Sequence, residues 1–563
     1  MEKRTILALA LAALVLAVTP RLFPGNRPIS PAPASDSASG TQPPTIAAGI
    51  PPTSNAPSAG QTRSVESVAG STSTEPAAIA QAAVVNDSLS SFEFSSVGAA
   101  LSRVVLHSYP DLAKNKSKTP VELSAGATPI VSYRLVTSKD TIDLSKTIFR
   151  SVVDSQPNAR KRVMYETAIR GARITVEYQV HPDSFITRVR GSISASDSLG
   201  DPSYLLIDLP RTLMSFEADT VDDQRHLAFA YRPAGSDAKS LPFGKLDPGE
   251  REIVKGPLTW VVTKSKYFLL GVLALEHDSS FVEFSAVGGP RASRTATHAA
   301  GTIVSAFNKR GEFAFELYAG PQHWRRLSAI GRDFQNSNPY GGFLQPVVQP
   351  FATIVMKILL WMRENLAISY GWVLVIFGIA VRLVLWPLNQ KGMRASMKMQ
   401  RIQPELNEIQ KKYKNDPQKM QSEMMRVYKE HDMSPFSTFA GCLPLFLPLP
   451  ILFALFFVFQ NTIEFRGVPF LWFQDISQKD PFYIVPLTMG VSMFVLSWIG
   501  MRNTPPNPQT KAMTYIFPVM MTVLFANFPA GLNMYYTIQN LAALPQQWLI
   551  SNERARNQQV TKT

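Results

Sequence analysis

The sequence predicts a membrane protein: an α-helical bundle of six membrane spans joined to an antiparallel β-sandwich domain outside the cytoplasm. Three observations support this fold class. A short apolar run follows two basic residues near the N-terminus, the middle of the chain is polar with alternating apolar positions, and about the last 200 residues are mostly apolar. With 563 residues, the chain is too long for one ordinary soluble domain.

Composition narrows the possible partners. The formal net charge of +14 and pI near 9.6 suit nucleic acid, an anionic membrane or a ribosome, and the position of the charges must decide among them. Cys442 is the single cysteine, so no intrachain disulfide can form. Packing alone must therefore hold the polar half of the chain together.

The N-terminal segment 1–23 is predicted to be a transmembrane signal anchor. Lys3 and Arg4 precede an apolar run from Ile6 to Val18, which is short for a span and also fits a signal peptide. Thr19 and Pro20 make a poor cleavage site, which favours an uncleaved anchor over a cleaved signal. Residues 24–88 are rich in Pro, Ser and Ala and are predicted to be a disordered linker, because they bury too little apolar surface to offset the entropy of ordering.

Residues 89–330 are predicted to form the β-sandwich. Short alternating segments such as RITVEYQV and GEFAFELYAG recur between clusters of Gly, Pro, Asp and Ser. The region contains no GxSxG, HExxH or Walker motif, and its histidines are scattered. These features predict no enzyme activity, no metal site and no cofactor.

The C-terminal half carries the remaining spans. Residues 343–365 are amphipathic and predict a helix lying in the membrane interface. Beyond it, the transmembrane core covers 366–550, and with the N-terminal anchor the total is six spans. The five spans in this core are Leu366–Leu388, Phe436–Gln460, Phe482–Met501, Ala512–Phe528 and Ala530–Ile550.

Charge asymmetry orients these spans. The loop 389–435 contains ten Lys or Arg residues, whereas the loop 461–481 has only Arg466 and Lys479. Positive charge accumulates on the cytoplasmic side, so both termini, including the tail 551–563, are predicted to be cytoplasmic. The β domain then lies in the periplasm of a bacterium with an inner membrane.

The loop contains a predicted cytoplasmic helical hairpin, residues 392–431. Asn415 or Asp416 is a candidate N-cap before Pro417, and each helix has an apolar seam. One interpretation is a solvated loop that closes the bundle, and another is an arm that docks an acidic partner. The docking residues would be Arg394, Lys398, Arg401, Lys411, Lys412 and Lys414.

The five C-terminal spans contain no Asp, Glu or His. Ion-coupled transporters usually need such groups, and pumps need a nucleotide-binding loop. The first of these spans contains Arg382, which lies nine residues before Lys391 at the predicted cytoplasmic edge, or roughly 14 Å along a helix. The last span is rich in uncharged polar side chains: Asn533, Tyr535, Tyr536, Thr537, Gln539, Asn540, Gln546 and Gln547.

Two interpretations explain Arg382. Its long side chain could extend to the interface, or it could line a water-filled cavity together with the polar face of the last span. The depth of Arg382 and the absence of an acidic partner favour the cavity. Such a cavity would attract an acidic or polar segment of another chain.

Four motifs together resemble the YidC/Oxa membrane protein insertase family, in its six-span bacterial form with a periplasmic domain. They are GIAVRLVLWPLNQKGMRASMKMQRIQPELNEIQKKY, QSEMMRVYKEHDMSPFSTFAGCLPLFLPLPILFALFFVF, DPFYIVPLTMGVSMF and FPAGLNMYYTIQNL, within about 200 residues. The resemblance implies a hydrophilic groove with Arg382 at its centre and a client-contacting aromatic residue at Tyr535 or Tyr536. It also implies a required hairpin and a largely dispensable β-supersandwich. Gly378 stands where some members have a polar residue.

The resemblance implies a chaperone and protein-transport function: insertion of nascent membrane proteins into the bilayer, alone or with the Sec translocon. The groove residues would be Arg382, Asn533, Tyr535, Tyr536, Gln539 and Asn540. The partners would be nascent membrane proteins, the ribosome, the Sec translocon and phospholipid, with no specific nucleic acid. The alternatives are a membrane-anchored scaffold acting through its β domain and, less favoured, a transporter of an anionic solute.

Overall fold

A computed structural model describes ten stretches of the chain: 80–113, 119–123, 129–155, 161–194, 197–275, 280–291, 296–339, 345–431, 449–502 and 508–560. They belong to one unit, Pro76–Thr563. The predicted N-terminal anchor 1–23, most of the predicted linker and residues 436–448 of the second core span lie outside the described residues.

Eighteen strands are described in the first part of this unit. In chain order, β1 to β18 are Ala82–Asn86, Ser90–Ser95, Ala100–Pro110, Pro120–Leu123, Ser132–Thr137, Thr141–Asp143, Arg150–Ser155, Lys161–Ile169, Ala172–Val180, Ile186–Ile193, Pro202–Leu209, Ala228–Pro233, Lys239–Pro242, Arg251–Lys264, Phe268–Ala274, Phe281–Gly288, Ala299–Ala306 and Glu312–Pro321.

The first strand corrects one boundary of the sequence prediction. β1 lies within 24–88, the segment predicted to be disordered. Its residues alternate between exposed and buried, and it pairs with β2 in a register from Ala82 opposite Ser95 to Asn86 opposite Ser91. Val85 and Ala83 are buried in the core, so five residues of low polarity gain both ladder hydrogen bonds and apolar contacts.

The strands form two antiparallel sheets. A four-stranded sheet has the order β1-β2-β3-β4. A fourteen-stranded sheet runs β6-β5-β11-β17-β16-β14-β15-β18-β10-β9-β8-β7, with β12 pairing β13 and β14 beside it. Each described strand pairing is antiparallel, which confirms the β-rich domain that the alternating segments predict.

The two sheets share one apolar core. Phe94 of the small sheet lies 4.6 Å from the ring of Tyr178 on β9. The Tyr178 hydroxyl donates a hydrogen bond of 2.6 Å to the Ala99 carbonyl, and the Tyr133 hydroxyl lies 2.8 Å from it. The hydroxyl of the buried Tyr178 is therefore hydrogen-bonded while its ring packs in the core, so no unsatisfied polar group is buried with it.

Nine α-helices are described. In chain order, α1 to α9 are Thr220–Arg225, Trp324–Ile330, Gln345–Leu366, Tyr370–Lys412, Pro417–Glu430, Leu449–Asn461, Ile484–Met501, Pro508–Phe525 and Ala530–Val560. By length and composition, two stretches of them could cross a membrane, Tyr370–Gly392 and Ile484–Met501, and Pro450–Gln460 and Thr514–Phe525 are shorter and apolar.

Helix α4 joins two elements that the sequence predicts as separate, a membrane span and the first helix of the hairpin. Its 43 residues run from the predicted span into the first helix of the predicted hairpin. The residues around 391–401 are mainly Lys, Met, Arg, Ala and Gln, which favour helix, so the helix continues past the predicted membrane edge.

The hairpin is formed by the end of α4 and by α5. Asp416 caps α5, its side chain accepting a hydrogen bond of 3.0 Å from the Lys419 backbone N–H, and Pro417 follows it in the first turn. Apolar side chains from both helices form a small core separate from that of the β domain, namely Ile402, Leu406, Val427 and Tyr428.

The loop between α6 and α7 packs against the β domain. The Arg466 guanidinium reaches the Glu217 carboxylate and also donates to the carbonyls of Pro110 and Phe216, at 2.9 and 3.1 Å. The Tyr267 hydroxyl donates to Ser477 Oγ across a buried contact of 3.0 Å. This loop, residues 462–483, is hereafter called the outer loop.

Glu464 in the outer loop contacts the start of α2. Its Oε1 accepts a hydrogen bond of 3.1 Å from the Trp324 backbone N–H and lies 3.4 Å from His323 Nδ1. The side chain is 4% exposed. Burial, opposed by the backbone hydrogen bonds, raises the pKa of the Glu464 carboxyl to about 7, and burial lowers the pKa of His323.

Candidate functional site

Arg382 lies on α4 and faces α9. The guanidinium Nη2 donates a hydrogen bond of 2.8 Å to Oε1 of Gln546. The next two residues on α4, Leu383 and Val384, are 62% and 75% exposed, so the outward face of this part of the helix is apolar. Arg382 is half-buried between that apolar face and the neighbouring helix.

Gln546 makes a second hydrogen bond to α4, to a backbone carbonyl. Its Nε2 donates a hydrogen bond of 3.0 Å to the carbonyl of Trp386, one turn beyond Arg382. Gln546 is 1% exposed. The amide therefore links α9 to both a side chain and a backbone group of α4.

Two turns earlier on α9, Gln539 makes a second contact of the same kind. Its Nε2 donates a hydrogen bond of 2.6 Å to the Gly378 carbonyl. A Cβ atom at Gly378 would lie 3.1 Å from Ile538 Cγ2 and 3.5 Å from Tyr535 Cδ2. The absence of a side chain at this position thus permits the close approach of α4 and α9.

The other polar residues predicted for the groove divide between two sides of α9. The Tyr535 ring lies 5.9 Å from Phe377 of α4, whereas the Tyr536 ring lies 5.7 Å from Phe525 of α8. Tyr535, Gln539 and Arg382 therefore share the interface between α4 and α9.

Asn533 and Asn540 contact different neighbours. The Asn540 amide donates a hydrogen bond of 3.1 Å to Ser492 Oγ of α7. The Asn533 amide donates one of 3.0 Å to the Phe525 carbonyl at the end of α8. Asn540 thus links α9 to α7, and Asn533 links α9 to α8. Neither side chain takes part in the contact between Gln546 and Arg382.

The hydrogen-bonding capacity of Arg382 is only partly used. A guanidinium carries five N–H donors and no acceptor. Within the described part of the chain, its Nε is buried and has no hydrogen-bond partner. A half-buried cation in an apolar helix, joined to a neutral amide, is suited to receive oxygen acceptors from another chain through the exposed part of its guanidinium.

The hairpin residues predicted for docking occupy two settings. Arg394 Nη2 lies 3.4 Å from Glu553 Oε2 of α9, and both side chains are exposed. Lys411, Lys412 and Lys414 are exposed around the turn between α4 and α5. The side chains of Lys398 and Arg401 lie outside the described residues.

The specific role of Gln546 is not predicted from the sequence. A signal was available, because Gln539 and Gln546 are seven residues apart and fall on the same face of a helix. The partners on α4 are backbone carbonyls, which carry no sequence signature. In the described residues no group of three or more His, Cys, Asp or Glu side chains is arranged to hold a metal ion.

Comparison with known proteins agrees with this architecture. The family model described as YidC periplasmic domain matches residues 81–354, and the model described as 60Kd inner membrane protein matches residues 361–558. Together they cover both the β domain and the helical region that contains Arg382 and Gln546.

Several curated relatives are named membrane protein insertase YidC. The protein of Syntrophus aciditrophicus is 28% identical over 98% of this chain and 100% of its own length. That of Chlorobium limicola is 31% identical over 60% of this chain, and the match spans 59% of its length. The Chlorobaculum parvum protein is 28% identical over 88% of this chain and 86% of its own length.

Solved structures give lower similarity. A crystal structure of an active YidC insertase with its first transmembrane domain resolved is 18% identical, with a TM-score of 0.33, covering 83% of this chain and 92% of that one. A galactose mutarotase-like protein from Lactobacillus casei is 10% identical, with a TM-score of 0.30, over 43% of this chain and 100% of that one. On the two family models and the sequence relatives, the chain is a member of the YidC/Oxa membrane protein insertase family.

Proposed function

We propose that this protein is a membrane protein insertase and chaperone. It takes nascent membrane proteins from the cytoplasm into the bilayer through a hydrophilic groove with Arg382 at its centre. The observation that carries the proposal is the half-buried guanidinium of Arg382, whose described side-chain partner is the neutral Gln546, so that its charge is uncompensated. The relatives are named membrane protein insertases, which supports the same activity.

The groove would act by lowering the cost of bringing polar groups into the membrane. Each unsatisfied backbone group in lipid costs several kcal/mol, so a client segment gains from donors offered at membrane depth. The donors of Arg382 would bond to the carbonyl or carboxylate oxygens of the translocated segment. The polar α4–α9 interface, with Tyr535 and Gln539, would line its path.

Completion of insertion requires no covalent chemistry and no cofactor. Burial of the apolar residues of the client in lipid supplies a favourable free energy. The membrane potential adds about 2.3 kcal/mol per elementary charge per 100 mV for charged client residues. Clients with short, weakly charged translocated segments therefore suit this mechanism.

We propose a six-span topology in a bacterial inner membrane, with both termini cytoplasmic and the β domain periplasmic. The N-terminal anchor and helices α4, α6, α7, α8 and α9 would supply the spans. Helix α3 would lie in the outer interface, because Phe351, Ile354, Ile358 and Trp361 on it are exposed. The outer loop and the β domain would then cover the periplasmic end of the bundle.

The basic hairpin would receive clients on the cytoplasmic side. Its exposed lysines around the turn suit an anionic partner such as the ribosome, and lipid head groups share that chemistry. Some clients would pass through the Sec translocon and reach this protein laterally, whereas small single-span clients would need no other component.

Insertion into liposomes tests the activity directly. The full-length protein is reconstituted, a short single-span client is added, and protease protection of its translocated segment is measured against protein-free liposomes. We expect protection that depends on the protein without any Sec component. Equal protection in both liposome preparations would contradict an insertase and favour the scaffold interpretation.

A further inference from the structure

The amide of Gln546 has one possible orientation in its site. Its oxygen accepts from the Arg382 guanidinium at 2.8 Å, and its nitrogen donates to the Trp386 carbonyl at 3.0 Å. A guanidinium can only donate and a carbonyl can only accept. Rotating the amide by half a turn would therefore set donor against donor and acceptor against acceptor.

This double contact fixes Arg382 relative to the helix that carries it. Trp386 is four residues after Arg382, so Gln546 spans one turn of α4 from the neighbouring helix. An arginine side chain has several rotatable bonds, and holding it in one place costs conformational entropy. The buried Gln546 amide, whose nitrogen is bonded to the Trp386 carbonyl, offsets this entropy cost before a client binds.

The neutrality of Gln546 matters as much as its position. A carboxylate at this place would form a charge-assisted pair with the guanidinium in a site of low dielectric, and such pairs are strong. A neutral amide holds the guanidinium in place and leaves its charge uncompensated. The contact can then be exchanged for an acceptor of another chain.

We propose that Gln546 is a positioning residue that holds Arg382 at rest and yields it to the carboxylate or carbonyl oxygens of an entering client. The inference rests on the proposed function, since it assigns how the client reaches Arg382. Because Gln546 leaves the charge of Arg382 uncompensated, the site favours clients whose translocated segment carries acidic residues, since a carboxylate binds a guanidinium more strongly than an amide does.

The test compares two clients that differ in the translocated segment, one with two Asp residues and one with two Asn residues at the same positions. The quantity measured is the ratio of their insertion rates, Asp client over Asn client, in liposomes that carry the full-length protein. A purely structural defect slows both clients alike and leaves this ratio unchanged, so the ratio reports on the charge of the groove.

Gln546→Glu should lower the ratio at least about tenfold, because the new carboxylate neutralises Arg382. Gln546→Leu removes the partner and leaves the guanidinium charged, so both clients should slow while the ratio stays close to wild type. Gln547→Glu is the matched control. Its side chain lies against Gly500 of α7, and the same new charge there should leave the ratio unchanged.

An unchanged ratio in Gln546→Glu, or an equal fall in Gln546→Glu and Gln546→Leu, would overturn the inference. Arg382→Leu in the same assay separates this from failure of the proposed function. If Arg382→Leu lowers the ratio and Gln546→Glu does not, the result supports the insertase proposal and contradicts the role proposed for Gln546. If the wild-type protein inserts neither client, both the insertase proposal and the role proposed for Gln546 are wrong.

Discussion

Arg466 and Glu217 form an ion pair of 2.7 Å between Nε and Oε1, although 249 positions separate them in the chain. The two side chains are 3% and 2% exposed. The Arg466 guanidinium also lies 5.3 Å from the Phe268 ring centroid on β15. The outer loop, which connects two helices of the bundle, is thus bound to the β domain through a buried charge.

Breaking this pair should destabilise the protein strongly. We expect Glu217→Ala to lower the free energy of unfolding by about 3 to 5 kcal/mol, because it leaves the buried Arg466 guanidinium without its partner. Burial raises the pKa of the Glu217 carboxyl to about 7, so in Arg466→Ala this group can take up a proton and the loss at neutral pH should be smaller. The double variant Glu217→Leu/Arg466→Leu should lose less than Glu217→Ala. Thermal or denaturant unfolding of the purified protein in detergent measures all three.

Arg173 and Glu166 provide the matched control. Their ion pair is 3.1 Å long, but the side chains are 73% and 45% exposed. Solvent screens such a pair, so Glu166→Ala should cost less than about 1 kcal/mol. Equal losses for the buried and the exposed pair would contradict the view that the outer loop is held by a desolvated charge.

Glu464 should make stability depend on pH in the neutral range. Its pKa rises from 4.5 to about 7 on burial, so the native state holds a proton that the unfolded state has released. The stability that this carboxyl contributes is fully present below pH 4.5 and is lost as the pH rises through 7. The loss amounts to about 3 kcal/mol over that interval.

The measurement is the free energy of unfolding between about pH 4.5 and 8 for the wild type and for Glu464→Gln. Glutamine keeps the acceptor for the Trp324 backbone N–H and cannot ionise, so its profile should lack the decline that Glu464 causes. His323 has a pKa lowered by burial and acts in the opposite direction, but it is present in both proteins. Parallel profiles would rule out a raised pKa for Glu464.

The hairpin should bind an anionic partner through its exposed charges. We expect the triple change Lys411→Glu, Lys412→Glu and Lys414→Glu to weaken ribosome binding by at least about tenfold at low salt, because screening is weakest there. Cosedimentation with ribosomes at two salt concentrations measures the effect.

The small hairpin core should survive this triple change, because Ile402, Leu406, Val427 and Tyr428 are untouched. Circular dichroism of the variant checks that its helix content is unchanged. Binding that is unaltered by the charge reversal would favour the simpler interpretation, in which the hairpin is a solvated loop that closes the bundle.

Local patterns in the sequence are sufficient to predict several elements. Alternation in segments such as RITVEYQV predicts the strands, and Asp416 before Pro417 predicts the start of α5. The positive charge of Arg382 among apolar neighbours is enough to make it a candidate functional residue. Each of these features depends on residues close together in the chain.

Long-range partners are not predictable in the same way. Arg466 counts in the sequence as one basic residue in a loop poor in positive charge, and nothing near it indicates Glu217. Strand β1 falls within the predicted linker because five residues are too short a pattern to outweigh the composition before them. Gln546 is one of several polar residues in its helix, and its role depends on the Trp386 carbonyl.

The central claim is that the charge of Arg382 assists insertion. The most direct measurement is the insertion rate of a short single-span client into liposomes that carry wild type, Arg382→Lys or Arg382→Leu. Lysine keeps a positive charge with fewer donors, so we expect it to retain much of the activity, whereas leucine should lose at least about tenfold. Wild-type activity in Arg382→Leu would contradict the account, because insertion would then proceed without a positive charge in the groove.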